Sequence, residues 1–415
     1  MVKLLASLLA LGAGICAAAH RANWPNGPFT TSGRYVLDAS GKNVTYAGAN
    51  WPGAADVMIP EGLQFQSVES IVSKLKSIGM NAIRLTYAIE MIDQIYENGG
   101  EDIPIKTAFL EGLGAENGTK VFNQVLDKNP GFNPNITRLQ VFDAVVAECA
   151  KQHIYVHLDN HISKGMWCCD TEDGNSWWGD TYFSVANWTR GLAYMADHGK
   201  AWPNLMSMSL RNEPREPQNN ATLDAETYNW EYWYKYIKQG TDAINGANPD
   251  VLIFLSGLGF DTYLTPVVQG TALTPGNSTF SRTDFPGYAD KLVLDLHNYQ
   301  TTSTNCTSLQ KDLYNDGFQA LTPAAANMFP VMLTEFGLAM DNTSWHAVYP
   351  TCLASYLPAQ KAGWFIWVLA GSYYIRHGVQ DSDETWGLLT HDWSTWRSPS
   401  YIDGALIGMV NRTLA

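Results

Sequence analysis

The sequence predicts an α/β fold with one domain, on two observations. Eight short apolar runs rich in β-branched residues recur, at residues 44–50, 82–87, 154–161, 205–212, 251–256, 292–299, 331–335 and 364–369. Between them lie segments with apolar residues at i, i+3, i+4 and i+7, such as 68–78 and 139–146, which is typical of helices with one buried face. Eight alternations favour a closed (β/α)8 TIM barrel over an open sheet, because no G-x-G-x-x-G motif follows the first run.

Additional elements are expected around the barrel. Residues 35–44 have the pattern of a β-hairpin with its turn at Ser40-Gly41, and this hairpin could cover the bottom of the barrel. A barrel needs ~250 residues, whereas the chain has 415, so long βα loops are expected after strand two (89–135) and strand three (163–180). Loops that follow barrel strands lie on the catalytic face, so these two should shape a substrate groove.

The N-terminus has the composition of a secretory signal peptide. Lys3 precedes an apolar stretch at 4–18, and Ala17-Ala18-Ala19 supplies an A-x-A end. We therefore expect residues 1–19 to be a signal, residues 20–415 to be the catalytic domain, and the product to be secreted and extracellular. Sequons of the N-x-[ST] type favour glycosylation on that route. They lie at Asn43, Asn117, Asn135, Asn187, Asn220, Asn277, Asn305, Asn342 and Asn411.

Charge and composition restrict the partners. The formal net charge is −14, which would repel nucleic acid and anionic membranes. After residue 19, no stretch reaches the roughly 18 to 20 apolar residues of a membrane span. We expect a monomer that needs no cofactor and whose partner is a neutral substrate, such as a poly- or oligosaccharide.

Five cysteines follow the predicted cleavage site, and an oxidising compartment favours disulfides among them. We expect Cys306 to bond with Cys352. Cys168 and Cys169 either bond with each other or one of them pairs elsewhere. Cys149 lies in an amphipathic helical pattern and is expected to be a buried free thiol.

Polar side chains collect at the C-terminal ends of the apolar runs, and parallel strands bring those ends to one mouth of a barrel. Ionisable groups inside apolar strands are costly unless they pair, so these groups should pair with one another. Two glutamates among them indicate an acid pair of the kind that cleaves glycosidic bonds. The candidate site residues are Arg84, His161, Asn212, Glu213, His297, Tyr299, Glu335 and Trp367.

Two motifs carry a resemblance to a known family. The sequence Asn212-Glu213-Pro214 after the fourth run and Glu335-Phe336-Gly337 after the seventh resemble glycoside hydrolase family 5, in the clan of barrel glycosidases with acids on strands four and seven. The motifs at 81–85, 158–161, 296–299 and 365–367 support the resemblance in the family's order. The segment 167–180 is similar to family members that are endoglucanases.

The resemblance implies the roles of the site residues. Glu213 would be the general acid/base and Glu335 the nucleophile of a retaining mechanism, with Arg84 and Tyr299 keeping Glu335 ionised. Asn212 would bind the sugar 2-hydroxyl. The other supporting residues would position or stack on the sugar: His161, His297 and Trp367.

The sequence therefore predicts a secreted retaining β-glycosidase, expected to be an endo-β-1,4-glucanase similar to cellulases. The same mechanism on β-1,3- or β-1,6-glucan, on mannan, or in an exo-acting enzyme is an alternative. A barrel that binds glycans without catalysis is a further one. A metal site at His153, His157 and His161 is disfavoured, because four-residue spacing on a strand separates successive ligands by ~13 Å.

Overall fold

The computed structural model describes residues 24–415, so the predicted signal peptide at 1–19 lies outside the described residues. Eight parallel strands form a closed barrel in which each strand pairs with its sequence neighbours and the last pairs with the first. They are β1 (Ala47–Trp51), β2 (Ala82–Ala88), β3 (Tyr155–Ile162), β4 (Leu205–Ser209), β5 (Leu252–Ser256), β6 (Leu292–His297), β7 (Val331–Glu335) and β8 (Gly363–Ile366). The predicted (β/α)8 barrel is confirmed.

Helices surround the barrel and begin where the sequence supplies caps. Ser67 accepts a hydrogen bond from Ser70 N at the start of Val68–Ser77, and Thr137 forms a capping box with Gln140 ahead of Arg138–Lys151. The other α-helices are Ile89–Glu97, Ile105–Leu113, Ala115–Lys128, Val185–His198, Ala221–Thr227, Trp230–Ala247, Thr265–Gln269, Cys306–Asp316, Val348–Gln360, Pro399–Tyr401 and Ile407–Leu414. The short turn Leu258–Asp261 has left-handed backbone at Gly259 and Phe260 and belongs to the loop after β5. A π-helical segment spans Ile402–Leu406, and short 3-10 turns span Gly199–Ala201, Arg282–Asp284, Ala289–Lys291, Phe318–Leu321 and Ser344–His346.

An N-terminal sheet covers the amino end of the barrel. Its strands are Thr30–Ser32, Tyr35–Leu37 and Asn43–Val44, so the predicted hairpin at 35–44 is two strands of a three-stranded antiparallel sheet. Val36 belongs to an apolar cluster with barrel residues such as Phe254. This cluster seals the bottom of the barrel, as expected, and leaves the opposite mouth for polar residues.

The insertion at 89–135 corrects one expectation, because it is built from three helices rather than an open loop. Its first helix, Ile89–Glu97, buries Ile89 and Ile92 on one face, so helix formation hides apolar side chains that a loop would expose. The segment 163–180, in contrast, is irregular throughout.

A second hairpin was not predicted. Its strands, Ser372–Arg376 and Val379–Asp383, follow β8 and pair antiparallel. The hairpin packs on the helical insertion, since Gln380 Nε2 donates to Leu113 O at 3.0 Å. The two additions together form one wall beside the barrel mouth.

The cysteine pairing follows the expectation. Cys306 bonds with Cys352 across a Cα separation of 5.4 Å, Cys168 bonds with its neighbour Cys169, and Cys149 is buried and free. Within residues 24–415, no helix combines the length and apolar character that crossing a bilayer requires.

Candidate active site

Arg84 on β2 is the centre of the polar cluster at the barrel mouth, and its side chain is fully buried. Its Nη1 donates to Glu335 Oε1 at 2.5 Å and to Asn50 Oδ1 at 2.8 Å. Its Nη2 donates to Asn212 Oδ1 at 2.7 Å and lies 3.0 Å from Asp159 Oδ1. One guanidinium on β2 thus contacts side chains from β1, β3 and β7 and from the loop after β4.

Glu335 ends β7 and is held by donors on both oxygens. Arg84 bonds with Oε1, and the Tyr299 hydroxyl donates to Oε2 at 2.8 Å. His297 Nδ1 lies 3.7 Å from Oε2. Arg84 and Tyr299 therefore hold the buried Glu335 carboxyl in one orientation at the mouth.

Glu213 lies just after β4 in a different environment. Its φ of +48° lies in the left-handed region, which is uncommon for a residue with a side chain. Its Oε1 lies 2.9 Å from His297 Nδ1, and its backbone N–H donates to Asp261 Oδ2 at 2.8 Å. Burial raises the pKa of Glu213 above its usual range, although Arg215 and His161 act in the opposite direction.

The two glutamates face each other across the mouth. One oxygen from Glu213, one from Glu335 and a ring nitrogen of His297 all lie within 4.8 Å of one another. Burial lowers the pKa of His297 to about 3, so its imidazole is neutral between them at ordinary pH. Carboxyl groups ~5 to 5.5 Å apart suit direct attack on a sugar, whereas ~6.5 to 9.5 Å leaves room for a water between. An oxygen–oxygen approach within 4.8 Å is compatible with the shorter range.

Strand β3 also supplies side chains to the cluster. Asp159 Oδ2 lies 2.7 Å from His161 Nδ1, and the Ser209 hydroxyl donates to the other oxygen. Burial alone would raise the pKa of Asp159, but Arg84 and these two hydrogen bonds hold it well below its usual range. The ring of His161 stacks on that of Trp367 with centroids 5.5 Å apart. Asp159 therefore links the arginine to an aromatic surface.

All eight predicted site residues lie at this mouth and join one contact network. Three strands end earlier than predicted, however, at Ser209, His297 and Ile366. Asn212, Tyr299 and Trp367 therefore lie in the βα loops that follow these strands. His157, also on β3, is not among these residues, and its Nδ1 lies 2.8 Å from the Ser207 hydroxyl.

The predicted site did not include four residues of the network: Asn50, Asp159, Ser209 and Asp261. The first of these lies near the C-terminal end of β1, so the rule that selected Arg84 could have found it. Asp261 lies in a loop after β5 and has no strand-end signal.

Two adjoining cavities at the mouth form a groove with two compartments. One cavity of about 320 Å³ is lined by Tyr299, Trp367, Arg376, Glu384, Thr385 and Trp386. A second of about 410 Å³ is lined by Asp56, Met166, Trp167, Asp170, Glu172, Asp173, His377 and Gly378. The Arg376 guanidinium lies 3.9 Å from the Trp167 ring centroid, so their contact lies between the two compartments. The unpredicted hairpin after β8 supplies Arg376.

The closed parallel barrel and the facing glutamates at its carboxyl end define the class of barrel glycoside hydrolases. A family model described as Cellulase (glycosyl hydrolase family 5) matches residues 37–372. The chain therefore belongs to glycoside hydrolase family 5, a family of enzymes, as the sequence motifs predicted.

Relatives and solved structures agree with that family. A glycosyl hydrolase 5 family protein from Chamaecyparis obtusa is 32% identical over 395 residues, which cover 90% of this chain but only 65% of the relative. An endoglucanase from Paenibacillus polymyxa is 24% identical, with 90% and 85% covered. The catalytic domain of the major endoglucanase from Xanthomonas campestris pv. campestris has a TM-score of 0.65 at 20% identity, covering 92% of this chain and 99% of that one. At that identity the structure supports the fold alone.

Proposed function

We propose that the chain is a retaining β-glycosidase that cleaves a β-glucan, with Glu213 as acid/base and Glu335 as nucleophile. One observation carries the proposal: two glutamates bring one oxygen each within 4.8 Å of the other. One carboxyl is bonded to a cation and a hydroxyl, and the other, whose side chain is 13% exposed, has a raised pKa. Unequal environments of this kind separate the proton donor from the charged attacking group.

The geometry suits double displacement. In the first step a carboxylate oxygen of Glu335 bonds with the anomeric carbon while the bond to the leaving oxygen breaks and Glu213 protonates that oxygen. In the second step Glu213, now a carboxylate, takes a proton from water as the water oxygen attacks the anomeric carbon and frees Glu335. When the charge on Glu335 is lost in the covalent intermediate, the neighbouring carboxyl of Glu213 ionises more readily.

The remaining predicted residues would bind the sugar. Arg84 donates to the Asn212 amide oxygen. The amide nitrogen contacts the sulfurs of Cys168 and Cys169, which are weak acceptors, at 3.6 Å and 3.4 Å, and it is the group that would donate to the sugar 2-hydroxyl. His161 is fixed against Trp367, whose ring would support the sugar ring. His297 would orient the acid through its 2.9 Å contact with Glu213.

Endo action on β-1,4-glucan is the proposed specificity. Relatives are named endoglucanases, and an endocellulase from Pyrococcus horikoshii with a TM-score of 0.68, 17% identity, and 94% and 99% coverage was crystallised with cellotetraose. The two-compartment groove offers more room than one sugar ring needs. The second candidate keeps the mechanism but acts exo, or on another linkage or on mannan. The hairpin after β8, fixed by the Arg376–Glu384 ion pair at 2.7 Å, bounds one side of the groove, and such a wall favours exo action.

Secretion as a monomeric glycoprotein is also proposed. All nine sequon asparagines reach the surface, since eight are exposed and Asn187 is half-buried. Such exposure is compatible with glycan attachment along the secretory route.

Retention of anomeric configuration is the expected stereochemical result. Proton NMR of early hydrolysis of cellotetraose or a longer glucan should show the β-anomer first, because two inversions at the same carbon cancel. The α-anomer should appear later, by mutarotation. Early accumulation of the α-anomer would instead show inversion, which corresponds to a single displacement by water and would contradict the proposed covalent intermediate.

A hydrolysis screen tests the substrate. Turnover should be highest on soluble β-1,4-glucan, with mixed oligosaccharides as early products and a rapid fall in viscosity, because internal bonds are cut. Barley mixed-linkage glucan, β-1,3-glucan, β-1,6-glucan and mannan complete the panel. Release of a single sugar from the start, or faster turnover on mannan, would select the second candidate.

A further inference from the structure

The loop after β5 has an unusual backbone that the proposed mechanism does not use. Gly259, Phe260 and Asp261 have consecutive φ values of +61°, +61° and +58°. The left-handed region is unfavourable for residues with a Cβ, and such conformations persist only where the surroundings enforce them. Two of the three residues carry a side chain, so neighbouring contacts must hold this loop in place.

Those contacts connect the loop to the chain around Glu213, which itself has a φ of +48°. Glu213 N donates to Asp261 Oδ2 at 2.8 Å, and Phe260 N donates to Pro214 O at 3.1 Å. Gly259 N donates to the Tyr228 hydroxyl at 2.9 Å. The Glu213–Asp261 and Phe260–Pro214 hydrogen bonds run in opposite directions and fix the loops after β4 and β5 against each other. The first of these bonds depends on the Asp261 side chain.

That side chain is a costly one to bury. Asp261 is fully buried, and its Oδ1 has no hydrogen-bond partner among residues 24–415. Its Oδ2 lies 3.8 Å from His297 Nε2, a ring atom that also lacks a partner in the same range. Burial, Asp295 and the Glu213 carboxyl raise the pKa of Asp261, and the Glu213 N–H and Arg84 offset this only in part. Its one direct hydrogen bond is to Glu213.

We propose that Asp261 is a positioning residue for the acid/base Glu213. By accepting the backbone N–H of Glu213, Asp261 holds the left-handed turn that directs the Glu213 carboxyl toward His297 and the leaving oxygen. This inference rests on the proposed function of Glu213. A displacement of about 1 Å at a catalytic group can lower the rate by about 100-fold, so loss of the contact should affect proton donation selectively.

The test compares variants that keep or lose the acceptor. Asp261→Asn retains an oxygen of the same shape that can accept the Glu213 N–H, whereas Asp261→Ala removes it. Asp261→Ser, too short to reach, replaces the alanine variant if that one does not fold. Asp102→Ala is the control, because Asp102 also accepts a backbone N–H, from Leu139 at 2.8 Å, and pairs with Arg138 at 2.7 Å, so its loss perturbs the fold away from the acid/base.

The readout is kcat/KM on two substrates, cellotetraose and 2,4-dinitrophenyl β-cellobioside. The dinitrophenolate leaves without protonation, so only cellotetraose needs the acid. Asp261→Ala should lose about 100-fold on cellotetraose and under about threefold on the aryl substrate. Asp261→Asn should stay within about fivefold of wild type on both, and Asp102→Ala should show no difference between substrates.

Glu213→Ala provides the reference, since it should show the same selectivity more strongly. Equal losses on both substrates in Asp261→Ala, or none, would overturn the role of Asp261 while Glu213→Ala still discriminates between the substrates. A lack of selectivity in Glu213→Ala would refute the proposed acid/base, and the role of Asp261 with it.

Discussion

Replacing Glu335 with glutamine should lower kcat on the preferred glucan by about 10⁴-fold or more. The amide has nearly the same shape, and its oxygen can still accept from Arg84 or Tyr299, but it cannot form the ester with the anomeric carbon. Stability should change little, since Asp159 remains 3.0 Å from Arg84 as a buried counter-charge. Steady-state kinetics and thermal unfolding of the same preparation measure both quantities.

Glu216→Gln is the matched control for that experiment. Glu216 is exposed, three residues beyond Glu213, and undergoes the same loss of charge outside the cluster. Its kcat should stay within about twofold of wild type, because exposed charges contribute little. Turnover of Glu335→Gln within tenfold of wild type would contradict the assignment of the nucleophile.

The sequence was sufficient to predict the barrel and most of the candidate site, because both depend on strand periodicity. A closed parallel sheet brings every carboxyl strand end to one mouth. Arg84 and Glu335, which lie inside apolar strands, could therefore be assigned to one cluster without knowledge of any contact. The turn residues Ser40 and Gly41 predicted two of the three strands of the N-terminal sheet, and Thr30–Ser32 was not predicted.

The features that the sequence did not predict are set by the backbone conformation of loops or have only weak hydrophobic patterns. The left-handed turns at Glu213 and Asp261 are enforced by contacts between two loops, and neither residue type indicates such a conformation. The second hairpin strand, Val379–Asp383, is largely exposed and polar, so it has no apolar alternation to detect. The helices at 89–135 did carry an amphipathic signal, at Ile89 and Ile92, which the expectation of a loop overlooked.

Arg84→Ala should abolish activity and also destabilise the fold, which distinguishes Arg84 from the glutamates. The substitution leaves Asp159 and Glu335 buried without their cation, and breaking a buried pair in this way typically costs about 3–5 kcal/mol. Arg190→Ala is the control, because Arg190 pairs with Asp93 at 2.5 Å but is 38% exposed. Its loss should cost at most about 1 kcal/mol. Urea unfolding followed by circular dichroism measures the free energies.

The pH dependence of that loss identifies its cause. Arg84 holds the pKa of Asp159 below its unfolded value, so the stability it contributes is present above about pH 4 and is lost as pH falls through the folded pKa. The difference in unfolding free energy between wild type and Arg84→Ala should therefore be largest near neutral pH and shrink below about pH 4. A cavity left by the missing side chain would instead cost the same at every pH. A difference that stays constant from pH 7 to pH 3 would assign the loss to packing rather than to the buried charges.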